Sequence, residues 1–251
     1  AQPVGNVVRP GLFNHSRPVF EVFSEISQKF AGTTDGKLYF RKMDSDEKST
    51  LILPDENWQW DVEGAIWSPD GKHLLVKQIN VEDVPTIKLV SESGTIVEKP
   101  YSRAGEALPL HQYYIVKMDT GEKTKVRHNL SFPYIHTVAW STSGESVFML
   151  QADRFLKQVD ILKVDASTGE PKIIFSENSD TYLIGLELLQ GYDRSLKEKN
   201  QILFLNDEFI WNSERTGFNQ LYLYSAEGEL KRALTNFDEN GIVDHVFRVD
   251  K

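Results

Sequence analysis

The chain has 251 residues, a formal net charge of −9, 40% hydrophobic and 26% charged residues, and no cysteine. That balance excludes wholesale disorder, and no apolar run approaches the ~18 residues a membrane-spanning helix needs. The acidic surplus argues against a nucleic-acid binder that works by phosphate neutralisation. The missing cysteines remove disulfides, thiolate metal sites, iron–sulfur clusters and a cysteine nucleophile together. Ala1 stands where an initiator methionine would, which leaves room for a signal segment already removed.

The first patterned stretch is PVFEVFSEISQKF (18–30), which places Val19, Val22, Phe23, Ile26 and Phe30 near one helical face. It reads as a short helix or an opening strand. Short strands follow, rich in β-branched and aromatic residues: LYFRKM (38–43), STLIL (49–53), HLLVKQI (73–79), YYIVKM (113–118), SVFMLQ (146–151), VDILKV (159–164), PKIIF (171–175), FIWNS (209–213), LYLYS (221–225) and VFRV (246–249). Between them stand turn dipeptides with glycine, among them Asp35-Gly36, Asp70-Gly71, Thr120-Gly121, Ser143-Gly144, Thr168-Gly169 and Glu227-Gly228.

Two half-units alternate along the chain. One is apolar-x-Trp-Ser-x-x-Gly followed by a strand, as in AIWSPDGKHLLV (65–76) and VAWSTSGESVFML (138–150), with a looser copy in FIWNSERTGFNQLYLY (209–224). The other is strand, turn, strand, as in YYIVKMDTGEKTKV and DILKVDASTGEPKIIF. Such self-similarity predicts an all-β repeat architecture, a β-propeller of four-stranded antiparallel blades, with a β-sandwich as the alternative. Trp67, Trp140 and Trp211 lie 73 and 71 residues apart, more than the about 40–50 residues of a blade. Insertions are therefore expected near 80–112 and 176–206. The regular spacing favours a structural role for the three tryptophans, packed between neighbouring sheets. Asp70, Gly71, Gly144, Glu214, Arg215 and Gly217 are the turn residues of the same repeat, with Glu214 or Arg215 in an ion pair within a turn or between blades.

Chemistry-bearing motifs are scarce. A nucleophile elbow needs Gly-x-Ser-x-Gly, and the one pair of glycines four apart, Gly32 and Gly36, encloses Thr34. Neither Gly36-Lys37 nor Gly71-Lys72 has the glycine a P-loop requires, and no two glycines stand two apart, as a dinucleotide fingerprint demands. The six histidines, His15, His73, His111, His128, His136 and His245, show no metal-ligand spacing. NFDENG (236–241) opens like a calcium loop, but Phe247 occupies the position of the closing carboxylate. No metal and no cofactor are expected. Asn14-His-Ser16 and Asn129-Leu-Ser131 match the glycosylation triplet.

From WSPDGKHLLV onward, the blocks NVEDVPTIKLV (80–90), KPYSRAGEALP (99–109), QYYIVKMDTGE (112–122), residues 138–170 and residues 209–235 resemble the N-terminal β-propeller of dipeptidyl peptidase IV-type serine peptidases, of the prolyl oligopeptidase family. The resemblance implies about four blades of an eight-bladed plan, hence a partial propeller over residues 35–251 with residues 1–34 as an N-terminal extension packed on it. It implies that a C-terminal α/β-hydrolase domain of the parent protein holds the catalytic triad. This chain would then be its non-catalytic lid and substrate filter, with homodimerisation as a further role, in a periplasmic or extracellular protein. Four blades cannot close such a ring, and Phe13, Val19, Phe20, Phe23, Ile26 and Phe30 give the extension apolar surface to cover one end. Members with dipeptidyl specificity carry a Trp-x-Tyr-Glu-Glu-Glu block ahead of the WSP segment. Here the stretch reads PDENWQWDVEGAIWSP (54–69), which leaves Glu56 and Glu63 isolated and puts that specificity in doubt. Segment 183–190, LIGLELLQ, lacks the arginine the family places there. The competing reading is a free-standing propeller that binds or scaffolds without any peptidase activity.

Overall fold

The computed structural model describes residues 6–8, 20–90, 94, 96–183, 202–206 and 208–236. Phe13, Val19, most of LIGLELLQ, the NFDENG loop beyond Asn236 and the strand expected at 246–249 lie outside them. The described residues form nineteen strands and their turns, in two compact units, Ala1–Pro133 and Tyr134–Lys251.

The first unit holds two large sheets and a separate two-stranded hairpin. In the first, β1 (Asn6–Val8), β2 (Phe20–Ser24), β3 (Lys29–Thr34), β4 (Lys37–Lys42) and β5 (Ser49–Ile52) run antiparallel in chain order. Residues 20–34, within the stretch expected as the 1–34 extension, form β2, β3 and the turn between them in this sheet. The helix-like spacing has a simple cause. Phe23 and Phe30 are cross-strand partners with ring centroids 4.7 Å apart, and Ile26 sits 70% exposed at the turn between their strands. A hairpin folded at that point brings together the same residues a helix would align. The next hairpin follows from its turn. Asp35 and Gly36 both take positive φ, 48° and 74°, and Thr34 pairs with Lys37, which is the two-residue turn whose twist matches the strands.

The second sheet orders β6 (Gln59–Trp67), β7 (His73–Asn80), β10 (Leu110–Lys117) and β11 (Lys123–Lys125). Between β7 and β10 the chain leaves the sheet and forms a separate hairpin, β8 (Thr86–Val90) with β9 (Ile96–Pro100). It rejoins the sheet with Leu110 opposite Asn80. Alternate residues of both sheets face each other as the core: Val22, Leu38 and Phe40 from the first, Trp60, Val62, Leu74, Val76, Tyr114 and Val116 from the second. Each such burial contributes about 1.5–3 kcal/mol. Two indole N–H groups tie the sheets together, Trp67 donating to the Val22 carbonyl at 3.1 Å and Trp60 to that of Ile52 at 3.0 Å.

The second unit repeats the scheme. Its first sheet is β12 (Tyr134–Trp140), β13 (Ser146–Ala152), β14 (Gln158–Asp165) and β15 (Pro171–Asn178). Its second is β16 (Ile202–Leu205), β17 (Glu208–Ser213), β18 (Gln220–Ser225) and β19 (Leu230–Ala233). Phe148, Leu150, Val159, Ile161 and Ile174 pack against Phe209, Trp211, Tyr222 and Tyr224. Phe175 lies 5.2 Å from the Trp211 ring and 5.0 Å from Tyr224. The β18–β19 turn approaches β15 so closely that a Cβ on Gly228 would stand 1.6 Å from the Ile174 carbonyl oxygen.

Trp67 and Trp140 occupy equivalent places, each ending the first strand of its sheet. The turns after them share their bonding: the Ser68 and Ser141 amides donate to the His73 and Ser146 carbonyls at 2.9 Å, and Gly71 and Gly144 donate back to those serines at 2.9 and 3.0 Å. Trp211 does not match. It lies on β17, the second strand of its sheet, because residues 202–205 form a first strand ahead of it. The expected excursion 176–206 therefore includes strand residues at both ends, 176–178 of β15 and 202–205 of β16.

Candidate functional site

The most chemically loaded feature of the first unit is a bulge in β6. Asp61 pairs with Lys77 and Ile66 with Leu75, so β6 carries three surplus residues against β7. Gly64 turns there at φ 75°, which its missing Cβ permits. The bulge sends Val62 and Ala65 into the core. Asp61 accepts the Glu63 amide at 2.8 Å and pairs with the Lys77 ammonium at 3.3 Å. The Lys77 side chain is only 17% exposed. Burial alone would push its ammonium down, but the Tyr113 phenol, Asp61 and Glu63 outweigh burial and hold it above the usual lysine value. Tyr113, opposite Lys77 on β10, is buried, and that burial raises its phenol. Asp61 is thus neutralised by an internal cation. The Glu63 carboxylate acts on the same ammonium only at longer range, and no ion pair joins the two. Two carboxylates against one ammonium leave one negative charge on an irregular edge strand, an arrangement that attracts an external cation or amine. Glu56, the other isolated glutamate, is exposed in the turn ahead of β6.

A second cluster joins the two sheets of the second unit. The Glu177 carboxylate on β15 accepts the Trp211 indole N–H at 2.6 Å and the Ser213 hydroxyl at 2.6 Å, and faces the Arg215 guanidinium at 3.5 Å. Arg215 also lies 4.2 Å over the Tyr222 ring and donates its Nε–H to Ser213 Oγ at 2.8 Å. Arg215 is therefore in an ion pair between sheets. Glu214 beside it is exposed. Nothing in the sequence marked Glu177, which sits at the start of a stretch read as an excursion. Glu21, Tyr39 and Arg41 form a comparable group in the first unit, with the Tyr39 hydroxyl and Arg41 Nε both donating to Glu21 Oε1 at 2.6 Å.

The remaining repeat residues serve turns. Asp70 accepts the Ser68 hydroxyl at 2.6 Å and the Lys72 amide at 3.0 Å. Partial burial raises its carboxyl, but these donors outweigh that and leave it below the usual value. Gly71, Gly144 and Gly217 take φ of 67°, 75° and 92°. Gly71 also lies tight against the preceding sheet, where a Cβ would meet Ser27 at 3.0 Å. No group of three or more His, Asp or Glu side chains among the described residues is placed to hold a metal ion. His111 and His128 are brought near one another beside Tyr113, and His128 is buried with neither ring nitrogen hydrogen-bonded.

Three four-stranded antiparallel sheets and one of five strands, each ordered along the chain and packed face to face within its unit, are the blades of a β-propeller. Such a scaffold carries its function in loops, bulges and insertions rather than in the strands. The chain belongs to the family of dipeptidyl peptidase IV N-terminal regions, whose model matches residues 23–251. Two solved structures share the fold. A Bacteroides ovatus protein described as a dipeptidyl aminopeptidase IV matches at 22% sequence identity and a TM-score of 0.62, over 83% of this chain and 29% of that one. Porphyromonas gingivalis dipeptidyl peptidase 4 matches at 17% identity and a TM-score of 0.72, over 90% of this chain and 34% of that one. The chain thus spans about a third of the length of these relatives.

Proposed function

We propose that this chain is the non-catalytic propeller region of a dipeptidyl peptidase IV-like serine peptidase that works in the periplasm or outside the cell. It acts there as lid and substrate filter for a C-terminal α/β-hydrolase domain. The observation that carries the reading is the family match over residues 23–251, joined to a sequence without a Gly-x-Ser-x-Gly elbow. The repeat residues Trp67, Asp70, Gly71, Trp140, Gly144, Trp211, Glu214, Arg215 and Gly217 keep a structural role in this reading. The β6 bulge is its candidate contact with peptide. One carboxylate outside the Lys77 ion pair, Glu63, beside an acid within it is a weaker grip on a substrate amino terminus than two unpaired carboxylates would be.

The β8–β9 hairpin is the candidate dimerisation surface. It packs in neither sheet, and Leu89, Val90, Ile96 and Val97 are all exposed on it. Two strands alone are marginal in water, and clustered exposed apolar groups favour burial against a second copy. The test of the main reading is enzymatic. The purified chain is expected to leave Xaa-Pro and Xaa-Ala chromogenic peptides intact, while the product of the complete gene cleaves them. Hydrolysis by the isolated chain that a serine-directed inhibitor stops would overturn it.

A further inference from the structure

Nothing in the peptidase reading uses Asp160. It is 1% exposed, the most deeply buried acid among the described residues. Its rung crosses three strands, Gln151 on β13, Asp160 on β14 and Ser176 on β15. They share the face of the sheet opposite the core residues Leu150 and Ile161. The next rung on that face is Met149 opposite Leu162, 0% and 2% exposed, so the carboxylate borders apolar packing. Asp160 accepts Gln151 Nε2 at 2.9 Å, the Ser176 hydroxyl at 2.7 Å and Gln158 Nε2 at 3.3 Å. All three donors are neutral. Glu21, Asp61 and Glu177 are less buried, yet each is paired with a base, Arg41, Lys77 and Arg215. No basic side chain among the described residues forms an ion pair with Asp160. A buried charge is ordinarily paired or bound to a metal.

A second atom makes the same demand. Gln151 is 3% exposed, and its Oε1, beside the carboxylate, is buried without a hydrogen bond. Turning the amide over would only set that oxygen against Asp160. Gln158 connects the cluster to a cleft of about 340 Å³ that it lines together with Asp153, Asp180 and Lys157. Two acids against one base make that cleft favourable to cations.

We propose that Asp160 and Gln151 bind a monovalent metal ion, sodium or potassium. Asp160 supplies the charge and Gln151 Oε1 a carbonyl dipole. Ser176 Oγ, whose proton goes to Asp160, adds a further lone pair. Oxygen ligands suit hard cations. One positive charge balances the one buried carboxylate, whereas calcium or magnesium would leave a buried surplus. The ligands are one acid, one amide and one hydroxyl, not a group of acids and imidazoles.

The test melts the whole chain in sodium, potassium and choline chloride at one ionic strength, so that screening is equal. The expected result is a melting temperature about 2–4 °C higher in the better-fitting metal salt than in choline. Amide exchange read by mass spectrometry slows in that salt across β13–β15 and not across β6–β7. Asp160→Asn keeps the size and removes the charge; Gln151→Met keeps the charge and removes the carbonyl ligand. Both lose the salt preference. Equal melting in the three salts, slowing spread evenly over the chain, or a preference that survives Asp160→Asn overturns the proposal. If Asp160→Asn does not fold, a preference that survives Gln151→Met overturns it equally. None of these readouts depends on peptidase activity.

Discussion

His128 is the residue whose ionisation the fold opposes most plainly. It is 9% exposed, and burial, its largest influence, pulls its imidazole down from 6.5 to about 4; nearby Lys125 acts in the same direction. The folded chain therefore holds it neutral where the unfolded chain would protonate it. Its contribution to stability is complete above about pH 6.5 and is lost as pH falls through about 4. A shift of this size corresponds to about 3 kcal/mol. Denaturant unfolding between pH 7 and pH 4 is expected to show that slope, and His128→Phe to flatten it; an unchanged slope in the variant would refute the assignment. Glycines offer a second residue-scale contrast. Gly217 and Gly228 have nearly the same φ, 92° and 89°, yet a Cβ at Gly217 meets nothing within 4 Å. Gly217→Ala should cost about 1–2 kcal/mol from backbone strain alone. Gly228→Ala must also displace the Ile174 carbonyl and should cost about 3 kcal/mol or more. Equal losses in chemical denaturation would mean that the close approach to β15 relaxes freely.

Among the elements, the clasp on Glu177 gives a graded expectation. Glu177→Gln keeps an acceptor for Trp211 and Ser213 and loses the partly exposed ion pair to Arg215, for about 1 kcal/mol or less. Glu177→Ala leaves two donors unsatisfied between sheets and should cost about 2–3 kcal/mol. Thermal unfolding of the pair distinguishes the two. Element boundaries were legible in the sequence wherever turn chemistry contained glycine: β3–β4, β6–β7, β12–β13 and β14–β15 follow the dipeptides that announced them. β16 was missed because the chain turns toward β17 at Asn206, at φ 61°, where the sequence has no glycine. Without that strand, Trp211 looked like a third copy of Trp67 and Trp140. Its spacing of 71 residues from Trp140 combines one strand position with another. The stretch 18–30 was ambiguous because a hairpin with a four-residue turn and an amphipathic helix set the same apolar spacing. In the candidate site, Glu63 could be named from the sequence. Asp61 could not be, because its part in the site depends on Lys77 arriving from the next strand.

At the scale of the whole molecule, the net charge of −9 bears on the dimerisation proposed for the β8–β9 hairpin. Two copies repel one another, and salt screens that repulsion beyond about 8–10 Å while leaving apolar contacts intact. Sedimentation is expected to give a larger dimer fraction as ionic strength rises. A fraction that falls with salt would point to an interface held by charge pairs such as Lys88–Glu98 exchanged between copies. Replacing residues 82–108 by a short turn should abolish association and leave the two-sheet core of the first unit folded, as read by circular dichroism. The register explains why. Asn80 and Leu110 already face each other across the β7–β10 ladder, as neighbours about 4.5–5.5 Å apart. The sheet closes at that rung whatever lies beyond it. The second blade is thus a docking port for protein engineering: a peptide tag, a biosensor or a small folded cargo whose termini lie side by side can be spliced between β7 and β10, with the ladder beneath serving as its plug.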